Sequence, residues 1–350
     1  MKQDWTDFLL QHGAAQNCLD FGKPGEELTC AQSATVVAPV LDLALIRASG
    51  EEAKVFLHNL LTNEVKGLHA GNASLSGFCN AKGRLLATFL IWHDGSDLLL
   101  ALSADLHGTI LKKLSMYVLR SKVKLTDASN ERLILGVAGP EAERALSGFG
   151  EIPKSPLSIS QIAHGQLIRL DQQRFLLSID AAVVQEVWQK LATVARPVGL
   201  DSWRWLDIVA GLPRVTQSTF EEFIPQMVNF DLIGGVSFTK GCYPGQEIVA
   251  RTRYLGKIKR RMYRAHLGDG IPNSGDHLYA PETEDQSCGR VVNVAPAPGG
   301  GHDLLAVIQS SCAEAGEVHL GEASGPRLVL LPLAYEQELR AATTGADANK

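Results

Sequence analysis

No stretch of this 350-residue chain holds the roughly 20 uninterrupted apolar residues that a bilayer-spanning helix needs, which excludes a helical membrane anchor. Residues 1–10 carry Asp4 and Asp7 where a signal peptide needs a basic end followed by an apolar run, so the expected location is the cytoplasm. Metal-type cysteine spacing is missing too. The six cysteines, Cys18, Cys30, Cys79, Cys242, Cys288 and Cys312, include no C-x-x-C pair and no histidine at zinc spacing, so no metal site built by this chain alone is expected. Free thiols suit a reducing compartment. Net positive charge is also lacking. The formal charge of −5 excludes a generally cationic protein that coats nucleic acid. What remains, 45% hydrophobic and 20% charged residues, is an ordinary globular composition with room for two or three domains.

The most specific segment present is FTKGCYPGQEIVARTR, from Phe238 to Arg253. Gly241 and Gly245 can take backbone conformations closed to other residues and Pro244 fixes a dihedral between them, so a tight loop is expected over 240–245. Gln246 then opens a helix with Glu247 in its first turn, where a carboxylate is electrostatically favoured. Cys242 follows the cation Lys240 and precedes a helix N-terminus; both lower a thiol pKa, so a reactive thiolate is one reading. The other is a structural turn with a buried cysteine and a capping glutamate. Arg251, Arg253, Lys257, Lys259, Arg260, Arg261 and Arg264 make a basic run just after the loop. The run reads equally as a site for phosphates or carboxylates and as a solvated strand edge.

Along the chain, residues 1–29 read as a partly helical extension. From 41 onward strands and helices alternate: strand 41–48, helix 51–61, a hairpin of strands 85–92 and 98–102 turning at 93–96, a helix capped by Ser103, and a strand at 123–125. A second block follows with strand 132–137, a short helix over 140–146, strand 174–179, helix 181–193, and a helix capped by Asp201 or Ser202 running to 212. After Arg261 short strands separated by Gly, Pro, Asn and Asp suggest a small all-β barrel. Residues 341–350 are expected to be a disordered tail. The pattern is α+β in class. Trp203 is a candidate ring-stacking residue, although a tryptophan near the start of an amphipathic helix is more often core.

The string Lys240-Gly241-Cys242-Tyr243-Pro244-Gly245-Gln246-Glu247 resembles the K-G-C-[FYW]-x-G-Q-E signature of the YgfZ-type folate-binding proteins, relatives of the glycine cleavage T-protein. Collinear matches support it. They are Cys79-Asn80-Ala81-Lys82-Gly83-Arg84, the run from Tyr117 to Val123, Gly136-Val137-Ala138-Gly139, Ile224-Pro225-Gln226 with Asn229, and Gly234-Gly235-Val236-Ser237-Phe238.

The resemblance implies two interleaved ferredoxin-like domains and a C-terminal β-barrel, arranged as a ring around a folate pocket. In this chain the boundaries would be an extension at 1–30, a first ferredoxin-like domain at 31–50 with 131–215, a second at 51–130 with 216–255, a barrel at 256–335 and a tail at 336–350. It implies tetrahydrofolate or a one-carbon derivative as ligand, with Trp203, Glu247 and Arg251 as binding residues. It further implies an accessory role in iron–sulfur cluster assembly or repair for a subset of enzymes, including tRNA-modifying ones, with assembly factors or client enzymes as partners. Cys242 is the candidate catalytic residue; Lys240, Gly241, Tyr243, Gly245, Gln246 and Glu247 complete the loop. RNA binding through the basic run is a further partner reading, opposed by the acidic balance. The alternative function is folate-dependent aminomethyl or one-carbon transfer. The T-protein places an acidic pair where this chain has Ala87 and Thr88, neither of which can act as a carboxylate base.

Overall fold

A computed structural model describes residues 2–254, 258–283 and 286–344. Lys257 of the basic run and tail residues 345–350 lie outside them. Contacts divide the chain into two compact units, one of Met1–Leu57, Val65–Ser74 and Phe89–Leu206, the other of His58–Glu64, Leu75–Thr88 and Asp207–Lys350.

The first unit carries a six-stranded sheet in the order Arg196–Pro197, Val36–Pro39, Arg132–Ala138, Arg174–Asp180, Gly165–Arg169 and Ile159–Ile162. Alternation along Arg174–Asp180 turns Phe175, Leu177 and Ile179 to one face. They meet Trp188 and Leu191 of helix Val184–Ala192, and Trp5 and Leu9 of helix Lys2–Gln11. Trp5 stands edge-on to Trp188 at 5.6 Å between ring centres. The amino-terminal residues are therefore part of this core. The expected hairpin forms as strands Leu85–Asp94 and Asp97–Ser103, with Gly95 at φ +63° in the turn. Leu43–Ser49 pairs with Asp97–Ser103 on one side and Lys124–Asp127 on the other.

At the end of this hairpin Asp94, half-buried with its side chain 8% exposed, takes hydrogen bonds from Arg47 at 2.9 Å, Arg132 at 2.8 Å and Gln166 at 2.9 Å. These donors come from three different strands. Burial pushes the Asp94 carboxyl up, but the Gln166 hydrogen bond and the two guanidiniums outweigh it and hold the group below the usual carboxylate range.

The second unit contains a curled six-stranded sheet in the order His319–Leu320, His277–Tyr279, Gly289–Pro296, His302–Gln309, Arg260–Leu267 and Val329–Leu331. The residues just before Val329 reach the opposite edge, where Leu328 N–H donates to the Val318 carbonyl at 2.8 Å. Ala265, Leu278, Val291, Leu304, Ala306 and Ile308 fill the interior. The strand-rich texture expected after Arg261 is what forms. The fold as a whole is mixed α+β with several sheets.

Three local expectations are corrected. The helix expected to begin with a cap at Asp201 or Ser202 spans Leu200–Val209, because Leu200 and Asp201 N–H groups donate to the Cys18 and Leu19 carbonyls. Asp201 lies inside the first turn and pairs with Arg204. Residues 341–344 of the expected tail continue helix Glu336–Thr344, on which Leu339 is buried. Strands Ile159–Ile162 and Gly165–Arg169 form where no strand is expected from residue pattern.

Candidate functional site

In the second unit the signature segment is a loop followed by the helix Gln246–Tyr254. Gly245 takes φ +79°, and a side chain there would lie 2.4 Å from the Asn80 carbonyl oxygen and 2.6 Å from the Gly83 backbone. Gly83 has φ +71° and faces Ile248 and the Gly245 carbonyl at 3.1 to 3.2 Å from its own missing Cβ. The two motifs, Cys79 to Arg84 and Lys240 to Glu247, thus touch through paired glycines, and any side chain at either would separate them. The Asn80 carboxamide shapes its turn by accepting from Lys82 N–H at 2.9 Å and Arg84 N–H at 3.1 Å.

Lys240 is buried. Its ammonium donates to the carbonyls of His58 and Leu61, at the C-terminal end of helix Ala53–Leu60, and lies 5.0 Å from the Tyr243 ring centre. Helix ends leave carbonyls without intrahelical donors and carry partial negative charge, so a cation there is doubly favoured. Tyr243 is also buried, and desolvation pushes its hydroxyl pKa up, with Cys79 nearby adding to the effect. Cys79 is itself buried, and its thiol pKa is raised by desolvation. Between the inward-facing side chains of Lys240 and Tyr243 the backbone turns Cys242 outward, where it is exposed. A packed cysteine, one of the two readings of this position, is not what forms.

Lys240 shares the loop with Cys242, but its charge serves the helix end. Gly241 stands beside His58, whose Nε2 is 3.9 Å from where a Cβ at 241 would be, and His58 Nδ1 lies 2.8 Å from Glu64 Oε1. Gln246 N–H donates to the Tyr243 carbonyl at 3.1 Å and starts the helix. Glu247 and Arg251, four residues apart on it, are both exposed.

The rest of the scaffold was not singled out by role in the sequence. Thr62 is fully buried; its hydroxyl donates to the Gly235 carbonyl and accepts from Gly77 N–H, both at 2.7 Å. Asn63 donates to Gly234 O at 2.7 Å and Leu75 O at 2.8 Å. These two residues fix the Gly-Gly approach to the signature loop. Gln226 donates to the Val249 carbonyl at 2.6 Å, and Asn229, at φ +57°, donates to Met262 O at 2.7 Å. A Thr-Asn pair directly after an apolar helix end was the available signal for Thr62 and Asn63.

The basic run does not form one patch. Arg261 is buried and ion-paired with Asp231 at 2.7 Å, and Arg264 pairs with Asp303 at 2.7 Å. Arg253 lies 4.2 Å over the Phe238 ring, while Arg251, Lys259 and Arg260 are exposed. Among the described residues no group of three or more His, Cys, Asp or Glu side chains is placed to hold a metal ion, and no helix is long and apolar enough to cross a membrane.

Trp203 belongs to the first unit and is 1% exposed. A side chain at Gly136 would fall 2.4 Å from its ring atoms Cε3 and Cζ3, and the Arg174 guanidinium lies 6.0 Å from the ring centre. The indole is packed against a strand whose glycine makes room for it, which is the core arrangement weighed above. Gly136 therefore sits in a strand and serves packing, while Gly139, at φ +120° against the Ala34 carbonyl, follows the end of that strand. Ala87 is fully buried, and the Thr88 hydroxyl accepts from Val215 N–H at 3.2 Å.

Comparison with known proteins agrees with these motifs. The GCVT N-terminal domain family matches residues 21–166. The chain is 30% identical over 299 residues to the tRNA-modifying protein YgfZ of Yersinia pestis (strain Pestoides F), covering 84% of this chain and 90% of that protein. It is 31% identical to the protein of the same name from Sodalis glossinidius, over 84% and 91% of the two chains. The fold is similar to that of glycine cleavage system aminomethyltransferase T from Bartonella henselae, with a TM-score of 0.67 at 16% identity over 89% and 90% of the two chains. With the signature loop, its glycine-paired partner turn and relatives at this identity over most of both lengths, the chain belongs to the YgfZ family.

Proposed function

We propose that the chain is a cytoplasmic, tetrahydrofolate-binding accessory protein that supports iron–sulfur cluster assembly or repair in a subset of enzymes, tRNA-modifying ones among them. The observation that carries this reading is the exposed thiol of Cys242 on a loop fixed from both sides, by Lys240 and Tyr243 within the loop and by the Gly245 to Gly83 contact behind it. Such a loop holds a nucleophile in one place without enclosing it, which suits work on a partner's surface. The relatives' name, tRNA-modifying protein, supports the pathway. The domain arrangement that the family implies, interleaved ferredoxin-like domains and a barrel around a folate pocket with the boundaries given above, is part of the proposal.

Helix Gln246–Tyr254 offers groups that fit a reduced folate: an exposed guanidinium at Arg251 for the glutamate-tail carboxylates and an exposed carboxylate at Glu247 for the ring N–H donors. Trp203, enclosed in its own core, is assigned to packing. Bound folate would supply a one-carbon carrier; this chain's residues would bind and orient it.

The test combines folate titration by calorimetry with complementation of a strain lacking its own protein of this family, scored by iron–sulfur enzyme activity. Cys242→Ser should keep its fold and folate affinity and fail to complement. Arg251→Ala should weaken folate binding about tenfold. Full complementation by folded Cys242→Ser sinks the thiol's role, and unchanged affinity in Arg251→Ala sinks the folate assignment. The transferase alternative requires a carboxylate base that the buried Ala87 and Thr88 do not supply; formation of methylene-tetrahydrofolate and ammonia from an aminomethyl-loaded lipoylated carrier and tetrahydrofolate would promote it.

A further inference from the structure

A second motif, Tyr117 to Val123, has no part in the signature loop, and its geometry is unusual. Leu119 takes φ +43°, a left-handed conformation that a leucine adopts at an energetic cost. Its side chain is 89% exposed, so no packing within the first unit offsets that cost. Met116 at 61% and Tyr117 at 45% exposure stand beside it in sequence, and Glu52, Tyr117, Leu119, Arg120 and Ser121 line an open depression.

The corner is held firmly. Lys122 N–H donates to a Glu52 carboxylate oxygen at 2.6 Å, Ser121 N–H to Val118 O at 2.7 Å, and Gly50 at φ +109° leaves the Lys122 carbonyl the space its own Cβ would fill. Three apolar side chains are thus displayed on a fixed backbone, where ordering costs little on binding.

Charge indicates what covers them. From Leu106 to Thr126 the chain has no Asp or Glu, whereas Lys112, Lys113, Arg120, Lys122 and Lys124 all fall in that stretch of a protein whose net charge is −5. Glu51 pairs with the Lys122 ammonium and Glu52, which lines the depression, accepts from Lys122 N–H; Lys112, Arg120 and Lys124 are exposed in the same stretch of chain. Tyr, Met and Arg at the centre of a patch with a charged rim are the composition of a protein–protein interface. A nucleic-acid strand would find one aromatic ring here and two aliphatic side chains that no phosphate uses.

We propose that residues 116–121 form a docking surface for a protein partner presenting an apolar contact bordered by carboxylates. The surface is separate in sequence from the Cys242 loop, and the proposal holds whether or not that loop works as proposed.

The probes are fluorescein-labelled amphipathic peptides of one design, with a Leu/Phe stripe flanked by Glu in one version and by Lys in the other, and a single-stranded oligouridine. Fluorescence anisotropy with the full chain should show binding of the Glu version, weakened by salt, and none of the Lys version. Leu119→Ser and Arg120→Glu should each weaken it at least about tenfold. Leu119→Gly, which relieves the backbone, should lose binding while its melting temperature stays equal or rises. The proposal is overturned by no binding of the Glu peptide, by equal binding to the variants, by tighter binding of oligouridine, or by a lowered melting temperature in Leu119→Gly, which would make Leu119 structural.

Discussion

Replacing Lys240 by Met keeps the length of the side chain and removes only its ammonium, which isolates the role of that charge. The ammonium donates to two carbonyls, of His58 and Leu61, and faces the Tyr243 ring. Hydrogen bonds to a charged group contribute about 1.5 to 3 kcal/mol each, and a cation at a helix C-terminus about 0.3 to 1 more. Against this, an ammonium has been taken out of water, a cost that the Met variant recovers in part. A net loss of about 3 kcal/mol is expected, which raises the population of the locally opened state on the order of a hundredfold. Native-state hydrogen exchange at the amides of the signature loop reads that opening directly. The same protein, alkylated at Cys242 at neutral pH, should react within about twofold of wild type, because the thiol is already exposed and Lys240 is committed elsewhere. The opposite pattern, unchanged exchange with slowed alkylation, would show that the lysine acts on the thiol, and the reading of its place in the fold would be refuted.

Two glycines of the signature should differ sharply. Gly245→Ala must place a Cβ at φ +79° against backbone atoms 2.4 to 2.6 Å away, which cannot rotate aside, so a loss of about 2 to 5 kcal/mol in urea unfolding is expected. Gly241→Ala meets only His58 Nε2, at 3.9 Å, and should stay within about 0.5 kcal/mol of wild type. At pH 7, Asp94→Asn should cost about 3 kcal/mol, because it removes the enclosed anion that pairs with two half-buried guanidiniums. The Asp94 carboxyl is depressed in the folded chain, so its contribution is present above the unfolded value of about 3.9 and fades as pH falls through the lower folded value. The gap between wild type and variant in chemical denaturation should therefore narrow below about pH 4; a gap that is constant from pH 7 to pH 3 would contradict the assignment.

The parts of this fold that could be read from residue order are those where one local rule dominates. Strands Leu85–Asp94 and Asp97–Ser103 are nearly all apolar around a Gly-containing turn, and the helix after Gly245 follows from turn chemistry and a first-turn glutamate. Strand Gly165–Arg169 escaped because it is buried on both faces and each face mixes apolar and polar, Leu167 with Arg169 on one and Ile168 with Gln166 on the other. Gln166 and Arg169 are both buried, one bonded to Asp94, the other to Glu143 and the Pro153 carbonyl, so their burial depends on partners 16 to 72 positions distant. A period-2 apolar pattern cannot reveal a strand whose inward side chains are satisfied by distant charges.

The same physics limited the reading of the site. Lys240, Cys242 and Glu247 were visible as a chemical set, but sequence proximity suggested that the lysine would serve the cysteine. The fold carries its ammonium to carbonyls 179 and 182 positions away, while the neighbouring cysteine is turned outward. A buried cation is governed by the acceptors it can reach within its own cavity, since leaving an ammonium unpaired there costs more than any gain from tuning an exposed thiol. Arg261 and Arg264 show the rule again: within an apparently continuous basic run, Asp231 and Asp303 draw both into pairs inside the fold, leaving Arg251, Lys259 and Arg260 among those at the surface. Charge spacing along a sequence therefore bounds what a surface can attract, and the buried acceptors decide how much of that charge arrives there.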